Sequence, residues 1–164
     1  MIIVGIDPGI ANVGVGVVQN GKAKYSLIEH LMIKTPASQA HSQRLNHIFN
    51  TLSDVIEKHK PKVLVMESLF FAVNARSAMV VGKAMGAISL AASTQNIEVV
   101  EYTPLQIKKY ICGYGRAKKP EVQEKVRKLL KLKTIPKPQH AADALAAALT
   151  YYEMKATKTA KTNK

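Results

Sequence analysis

The feature that most constrains the fold is a series of three strand-like segments at the start of the chain. Residues 2–6 form a short apolar run that ends in Asp-Pro-Gly, a turn signal. Residues 12–19 alternate valine with smaller or polar residues, and the Asn-Gly pair at 20–21 is the strongest short signal for a hairpin. Residues 23–33 then return as a third strand. The chain therefore opens with an antiparallel meander.

After the meander, helix-like and strand-like segments alternate. Apolar residues recur at helical spacing from about 39 to 59, and short buried strands follow at 62–66 and 97–101. The segment from about 76 to 94, between these two strands, is a helix rich in Ala, Gly and Met. Three more helices are predicted at 104–111, 120–131 and 139–154. This order predicts an α/β fold with one mixed five-stranded sheet flanked by helices on both faces.

Length and composition favour a single domain of this kind, with no membrane anchor. A chain of 164 residues fits a single domain, which we place at 1–154, followed by a basic and disordered tail at 155–164. No apolar stretch approaches the roughly 20 residues of a membrane span, and the first residues lack the basic region of a signal peptide. The single cysteine, Cys112, excludes an internal disulfide and a cysteine-cluster zinc site. These features predict a cytoplasmic protein.

The positive charge of the chain is concentrated in one segment. The formal net charge is +13, of which residues 1–103 carry +2 and residues 104–137 carry +9. Residues 138–154 carry −2, and the tail carries +4. Such a basic segment favours a polyanion, and nucleic acid above all, as the partner. A membrane surface, an acidic protein or a merely solubilising surface are the alternatives.

Three of the eleven acidic residues stand in apolar surroundings. Asp7 and Glu67 each end an apolar strand, and Asp143 lies within the alanine-rich segment AADALAAAL. A carboxylate beside the core is costly unless it is hydrogen-bonded, paired or bound to metal. Each of the three could have a local partner instead, and Glu101 also ends an apolar strand. Three such residues in one small domain favour a shared site.

Clustered carboxylates without histidine–cysteine spacing suit hard cations such as Mg²⁺ or Mn²⁺. Two such ions per site can activate water and stabilise the leaving oxygen of a phosphodiester. His140 precedes Asp143 by three residues, so both side chains share one helix face. A neutral imidazole there could bind metal or shuttle protons, although a histidine at a helix start is often structural. The alanines around Asp143 would let this helix approach the sheet closely.

Four blocks of the sequence resemble the RuvC family of bacterial Holliday-junction resolvases. They are GIDPGIANVGVGVV, VMESLFFAVNARSAMVVGKAMG, EYTPLQIKKYICGYGRAKKPEVQEKVRKLL and HAADALAAALTYY, and they run in order from about residue 2 to residue 152. The resemblance implies a ribonuclease-H-like fold, a homodimer, and paired nicks across a four-way DNA junction in recombination and repair. It also implies a branch-migration helicase and a junction-binding scaffold as partners.

The resemblance also implies which residues form the site. Asp7, Glu67 and Asp143 match three members of an acidic tetrad that binds Mg²⁺, and His140 stands where the fourth is often aspartate. We interpret His140 as a change of ligand that raises the dependence on Mn²⁺ or on pH. For DNA, the resemblance points to one stacking aromatic and two phosphate-contacting lysines, and we add four further cations. These DNA-binding candidates are Phe70, Lys108 and Lys119, together with Arg76, Lys83, Arg116 and Lys118.

The residues leave several alternatives open. Phe70 could be a core residue, and any of the cations could be plain surface charge. Gly14 and Gly16 could serve a close approach of backbone to substrate or the packing of a helix on the sheet. The helix at 76–94 could form the dimer contact or pack only on the sheet. At the level of function, a binding module that recognises branched DNA without cutting it is the first rival. A small actin-like ATPase, suggested by GIDPG, is the second.

Overall fold

The computed structural model describes residues 1–21, 24–68 and 75–162. Within these ranges the element order matches the order predicted from the sequence. The strands are β1 (Ile2–Asp7), β2 (Asn12–Gly21), β3 (Lys24–Lys34), β4 (Val63–Glu67) and β5 (Glu98–Tyr102). The helices are α1 (His41–His59), α2 (Ala75–Ser93), α3 (Pro104–Cys112), α4 (Lys119–Leu129) and α5 (Gln139–Thr162). None of these helices is long and apolar enough to cross a membrane.

The sheet is mixed, and β1 lies at its centre. The strand order is β3-β2-β1-β4-β5. The first three strands form an antiparallel meander, and β4 and β5 extend the sheet in parallel with β1. Because β1 and β4 are parallel neighbours, their carboxyl ends meet at one edge of the sheet. That edge carries Asp7 and Glu67.

The two faces of the sheet bury two separate hydrophobic clusters. One face packs against α3, α4 and α5, with Leu145 and Leu149 fully buried. The other face packs against α1 and α2, with Leu52 and Ile88 fully buried. The predicted helices on both faces are therefore confirmed.

Two element boundaries differ from the prediction. The Asn-Gly pair at 20–21 belongs to β2, where Gly21 pairs with Lys24, so the strand runs past the predicted turn. A register shift between Val17 and Val18 accompanies this longer pairing. The last helix continues to Thr162, where the sequence predicts a disordered tail from residue 155. Residues 155–162 contain lysine, alanine and threonine but no glycine or proline, so nothing in them stops the helix.

Candidate active site

The site forms where β1, β4 and α5 meet. Asp7 is the last residue of β1, and Glu67 is the last residue of the adjacent parallel strand β4. The first turns of α5 cross this edge and supply His140 and Asp143 from one helix face. Four residues from three distant segments of the chain are thus brought together by the fold.

Glycines in β1 and β2 let α5 lie directly on the sheet. A Cβ atom at Gly14 would lie 2.0 Å from the backbone oxygen of His140. A Cβ atom at Gly16 would lie 2.7 Å from a methyl carbon of Leu145. The alanines of α5 from Ala141 to Ala148 are at most 1% exposed. Of the two readings of these glycines, the structure supports the packing of a helix on the sheet.

Asp7, His140 and Asp143 form a compact group. One ligand atom from each lies within 4.8 Å of the others. The His140 Nδ1–H donates a hydrogen bond to Asp7 Oδ2 over 2.7 Å, which leaves Nε2 with its lone pair in the neutral ring. The Lys119 ammonium lies 2.6 Å from Asp143 Oδ2. A carboxylate pair with an imidazole at this spacing is a donor set that fits a divalent cation.

Glu67 faces the same cavity but lies outside this three-residue group. Burial, followed by the nearby charges of Asp7 and Asp143, raises the pKa of Glu67 to about 7. Burial also raises the pKa of Asp7, with a further contribution from Asp143, while the hydrogen bond from His140 acts in the opposite direction. Carboxylates that resist ionisation together are relieved by a bound cation, so the electrostatics also fit a metal site.

A cavity of about 360 Å³ opens above these residues. The three acids and His140 line its base, and α3 and α4 line its walls. Lys108 comes from α3, whose start is fixed by the Thr103 side chain accepting from the Gln106 amide over 3.2 Å. Lys119 comes from the first turn of α4, where the Lys118 amide donates to Glu121 over 2.7 Å. The cavity thus combines an acidic base with two cations at its wall.

Comparison with known proteins identifies the family. The profile of the family described as crossover junction endodeoxyribonuclease RuvC matches residues 3–151. The crossover junction endodeoxyribonuclease RuvC of Natranaerobius thermophilus is 44% identical over 92% of this chain and 94% of its own length. The chain belongs to the RuvC family.

Solved structures agree with this assignment. The Thermus thermophilus RuvC structure has a TM-score of 0.90 at 36% identity and covers 97% of this chain and 98% of its own. The T. thermophilus RuvC in complex with a Holliday junction substrate has a TM-score of 0.88 at 34% identity, over 96% of each chain. The ribonuclease-H-like fold that the resemblance implies is therefore confirmed for this RuvC-family chain.

The structure places four of the other DNA-binding candidates, in two positions. Arg116 and Lys118 are exposed in the segment just before α4, next to Lys119. Arg76 and Lys83 are exposed on α2, which packs on the opposite face of the sheet from α3, α4 and α5. Neither of them lines the 360 Å³ cavity. Phe70 lies outside the described residues.

The sequence did not predict two residues that support the site in this RuvC-family chain. The Thr35 amide donates to the Ala11 carbonyl over 3.0 Å, and its hydroxyl donates to the Ile10 carbonyl. The Arg44 Nε–H in turn donates to the Thr35 hydroxyl over 2.8 Å. These bonds fix the loop that follows Asp7. The sequence signal was a threonine before Pro36, which predicts only the end of a strand.

Glu101, which resembled the site acids in sequence, does not join them. It lies on β5 opposite Met66 and is exposed. The residue after it in the chain, Tyr102, is the one that pairs with Glu67. The apolar run before Glu101 therefore indicates only a strand of the sheet.

Proposed function

We propose that this chain is a divalent-metal-dependent endonuclease that resolves four-way DNA junctions by paired symmetric nicks. The observation that carries the proposal is the convergence of Asp7, His140 and Asp143 within 4.8 Å, beside Glu67 and at the base of a basic-walled cavity. The family membership supports the reaction class, because the relatives bear the name crossover junction endodeoxyribonuclease. The T. thermophilus relative, in complex with a Holliday junction substrate, supports the choice of DNA.

The four residues Asp7, Glu67, His140 and Asp143 would hold two ions of Mg²⁺, with Mn²⁺ as a substitute. When bound, the ions supply Lewis-acid activation of water and stabilise charge on the leaving oxygen. Asp7 ends β1, the central strand of the sheet, and its carboxylate would hold the metal together with those of Asp143 and Glu67. Asp143 extends from α5, and the Lys119 ammonium holds its carboxylate in place.

The remaining side chains of the cavity position the strand. Lys108 and Lys119 offer ammonium groups to the phosphate that is cut, and Asp143 keeps Lys119 extended into the cavity. His140 would hold the metal through Nε2, since its Nδ1–H is bonded to Asp7. Hydrolysis of the bond between phosphorus and the 3′-oxygen leaves a 5′-phosphate and a 3′-hydroxyl, which a ligase can join.

The test is cleavage of a synthetic four-way junction with Mg²⁺ and with Mn²⁺. Asp7→Asn should bind the junction as the wild type does and should not cut it. Asp54→Asn is the matched control, because Asp54 is an exposed acid on α1 away from the cavity. Binding without cutting by the wild-type chain in both metals would favour the rival, a module that recognises junctions only.

The His140→Asp variant tests the proposed ligand. Replacing the imidazole with a carboxylate adds negative charge and a harder donor, so it should shift the metal preference from Mn²⁺ toward Mg²⁺. Cutting rates are measured against metal concentration at several pH values. An unchanged metal preference and pH profile would contradict a ligand role for His140.

A second copy of the chain fits the exposed face of α2. Met79, Lys83, Gly86 and Leu90 follow one another at helical spacing. Met79 is 67% exposed, Leu90 is 56% exposed, and a Cβ atom at Gly86 would meet nothing within 4 Å. The opposite face of α2, with Ala84 and Ala91, is buried in the core. The buried face thus packs in the core, and we propose the exposed face as the dimer contact.

Light scattering after size exclusion tests the dimer. The wild type should have twice the chain mass of 17.9 kDa. Leu90→Lys should shift it toward the monomer by placing a charge in the contact. Leu105→Lys, at a leucine on α3 that is 61% exposed, should leave the mass unchanged. A Leu90→Lys protein that stays dimeric would rule out this face of α2.

A further inference from the structure

Two more cavities lie beside α4, next to the active-site cavity. The active-site cavity is lined by Lys119 and Val122 of this helix. A second cavity, of about 810 Å³, is lined by Gln123, and a third, of about 730 Å³, by Glu124 and Arg127. Neighbouring residues of α4 therefore line the three cavities, which lie side by side around the helix.

The opposite wall runs in the same order. His140 and Asp143 line the active-site cavity, Pro138 and Gln139 line the second, and residues 132–137 line the third. The second and third cavities share Ile135, Pro136 and Lys137. They therefore form one groove, which we call the α4 groove, between α4 and residues 132–139. The groove adjoins the active-site cavity, because Gln123 and Gln139 of the groove are chain neighbours of Val122 and His140.

The α4 groove is positively charged. Three cations and one acid line it, Arg127, Lys133 and Lys137 against Glu124, a net of +2. Arg127 neutralises Glu124 through contacts of 2.7 and 2.8 Å. Lys133 and Lys137 are exposed, and neither forms an ion pair with the described residues. Two ammonium groups are thus left to face an external anion.

The segment that carries these two lysines is anchored at both ends. The Arg127 Nη1–H donates to the Leu132 carbonyl over 3.0 Å, and the Leu132 amide donates to the Arg127 carbonyl over 2.9 Å. The His30 Nε2–H donates to the Lys137 carbonyl over 3.1 Å, which ties the segment to β3. An anchored segment loses little conformational entropy when its lysines bind, so it favours a pre-formed binding surface.

We propose that the α4 groove is a second DNA-binding surface, in which Lys133 and Lys137 contact phosphates of a junction arm beyond the cutting site. The proposal rests on the nuclease site proposed above, because the groove adjoins it. Arg127, which donates a hydrogen bond to Leu132 beside Lys133, lies about 12 Å from Lys119 along α4 at 1.5 Å per residue. At about 3.4 Å per nucleotide along the duplex axis, the contacted phosphates lie about three to five nucleotides from the cut. Charge and continuity with the cutting site favour DNA over an acidic protein segment.

The first measurement is the salt dependence of junction binding, made without cutting in Ca²⁺ or EDTA. Lys133→Gln combined with Lys137→Gln should lower the slope of log K against log salt by about 1.8, since each phosphate contact contributes about 0.9. Lys60→Gln combined with Lys62→Gln is the matched control, with two exposed lysines at the amino end of β4. The control should keep the wild-type slope. An equal slope for both double variants would overturn the proposal and leave an acidic partner as the occupant.

The second measurement locates the contact. Uncharged methylphosphonates are placed one at a time along the cut strand of the junction. For the wild type, binding should weaken several-fold at substitutions three to five nucleotides from the cut, and the Lys133/Lys137 double variant should show no further loss there. Equal losses in both proteins would refute the contact.

Asp7→Asn separates this proposal from the nuclease proposal. It should abolish cutting and keep the full salt slope of the wild type. If Asp7→Asn still cuts while the lysine variants lose slope, the proposed metal site at Asp7 fails and the groove stands. If Asp7→Asn is inactive and the lysine variants keep the wild-type slope, the groove fails and the nuclease assignment stands.

Discussion

The two faces of the central sheet are packed in different ways. On the α5 face, backbone meets backbone: a Cβ atom at Gly5 would lie 2.0 Å from the Ala144 carbonyl oxygen, and one at Gly14 equally near that of His140. On the α1–α2 face, large side chains such as Leu52 and Ile88 fill the space between helix and strand. Backbone contact leaves no side chain that could adjust, so it fixes the position of a helix more tightly.

The difference coincides with the location of the proposed active site. α5 carries His140 and Asp143, and α3 and α4, which pack beside it, carry Lys108 and Lys119. Neither α1 nor α2 contributes to the active-site cavity. Metal ligands must be held within a fraction of an ångström, whereas a side-chain core tolerates small shifts. We infer that the glycines of β1 and β2 serve the placement of the site as much as the stability of the fold.

The largest effect is expected from Gly14→Ala, which combines a loss of stability with a loss of cutting. The new Cβ would overlap the His140 carbonyl, and backbone cannot rotate away, so α5 must move. Overpacking usually costs about 1–3 kcal/mol, and a clash with backbone lies at or beyond the upper end. Cutting per folded molecule should fall by about 100-fold, because His140 moves with the helix. Urea unfolding and junction cleavage measure the two effects, and near-normal cutting would break the comparison.

How much of this arrangement the sequence predicts depends on the kind of contact. The apolar runs that end in Asp7 and Glu67 predict strands whose carboxyl ends can carry functional groups. That the two strands are neighbours follows from the strand order, which the alternation of elements does not fix. The spacing of His140 and Asp143 predicts a shared helix face. Such patterns do not predict the distance between α5 and the sheet. It depends on Gly14 meeting His140 across 126 residues of chain, which only the fold reveals.

Other features were missed because they depend on side-chain partners distant in sequence. The support of the loop after Asp7 by Thr35 and Arg44 has no local motif. The contact of Lys119 with Asp143 joins two residues that the sequence treats as a DNA contact and a metal ligand. The last eight residues of α5 were missed for another reason. Their regular lysines suggest a solvated tail, yet alanine and lysine are also good helix formers.

The second prediction compares equal deletions on the two faces. Leu52 on α1 and Leu145 on α5 are both fully buried, and each changed to alanine should cost about 2–5 kcal/mol of unfolding free energy. Only Leu145→Ala should also reduce cutting per folded molecule, because Leu145 packs against Gly16 and helps to seat α5. Leu52→Ala should cut within about twofold of the wild type under conditions where both remain folded. Equal loss of cutting in the two variants would show that the faces do not differ in function.

The third prediction concerns the direction in which stability changes with pH on each face of the sheet. Burial and the neighbouring acids raise the pKa of Glu67 to about 7, above its ordinary value of 4.5. Its contribution to stability is therefore full below about pH 4.5 and is lost as the pH rises through about 7. Hydrogen bonds from Lys58 and His59 lower the pKa of Glu29, which lies beside α1. Its contribution is present above pH 4.5 and is lost as the pH falls through its folded pKa.

Opposite effects should follow from neutral replacements in EDTA. At pH 8, Glu67→Gln should raise the unfolding free energy by on the order of 1–3 kcal/mol, since one pKa unit corresponds to about 1.4 kcal/mol. It should also flatten the decline in stability between pH 4.5 and 7. Glu29→Gln should lower stability at neutral pH by removing the partner of Lys58 and His59. If both variants change the unfolding free energy in the same direction, the two faces would not differ in how their acids affect stability.

The smallest effect is expected from Gly21→Ala, the matched control for Gly14→Ala. Both glycines lie in β2, and the same methyl group is added, but a Cβ atom at Gly21 meets nothing within 4 Å. Alanine also removes the extra backbone freedom of glycine in the unfolded chain, which favours the folded state by roughly 0.5–1 kcal/mol. Unfolding free energy should therefore stay level or rise slightly, and cutting should match the wild type. A loss close to that of Gly14→Ala would mean that the strand itself requires glycine, and the contact with α5 would no longer explain either residue.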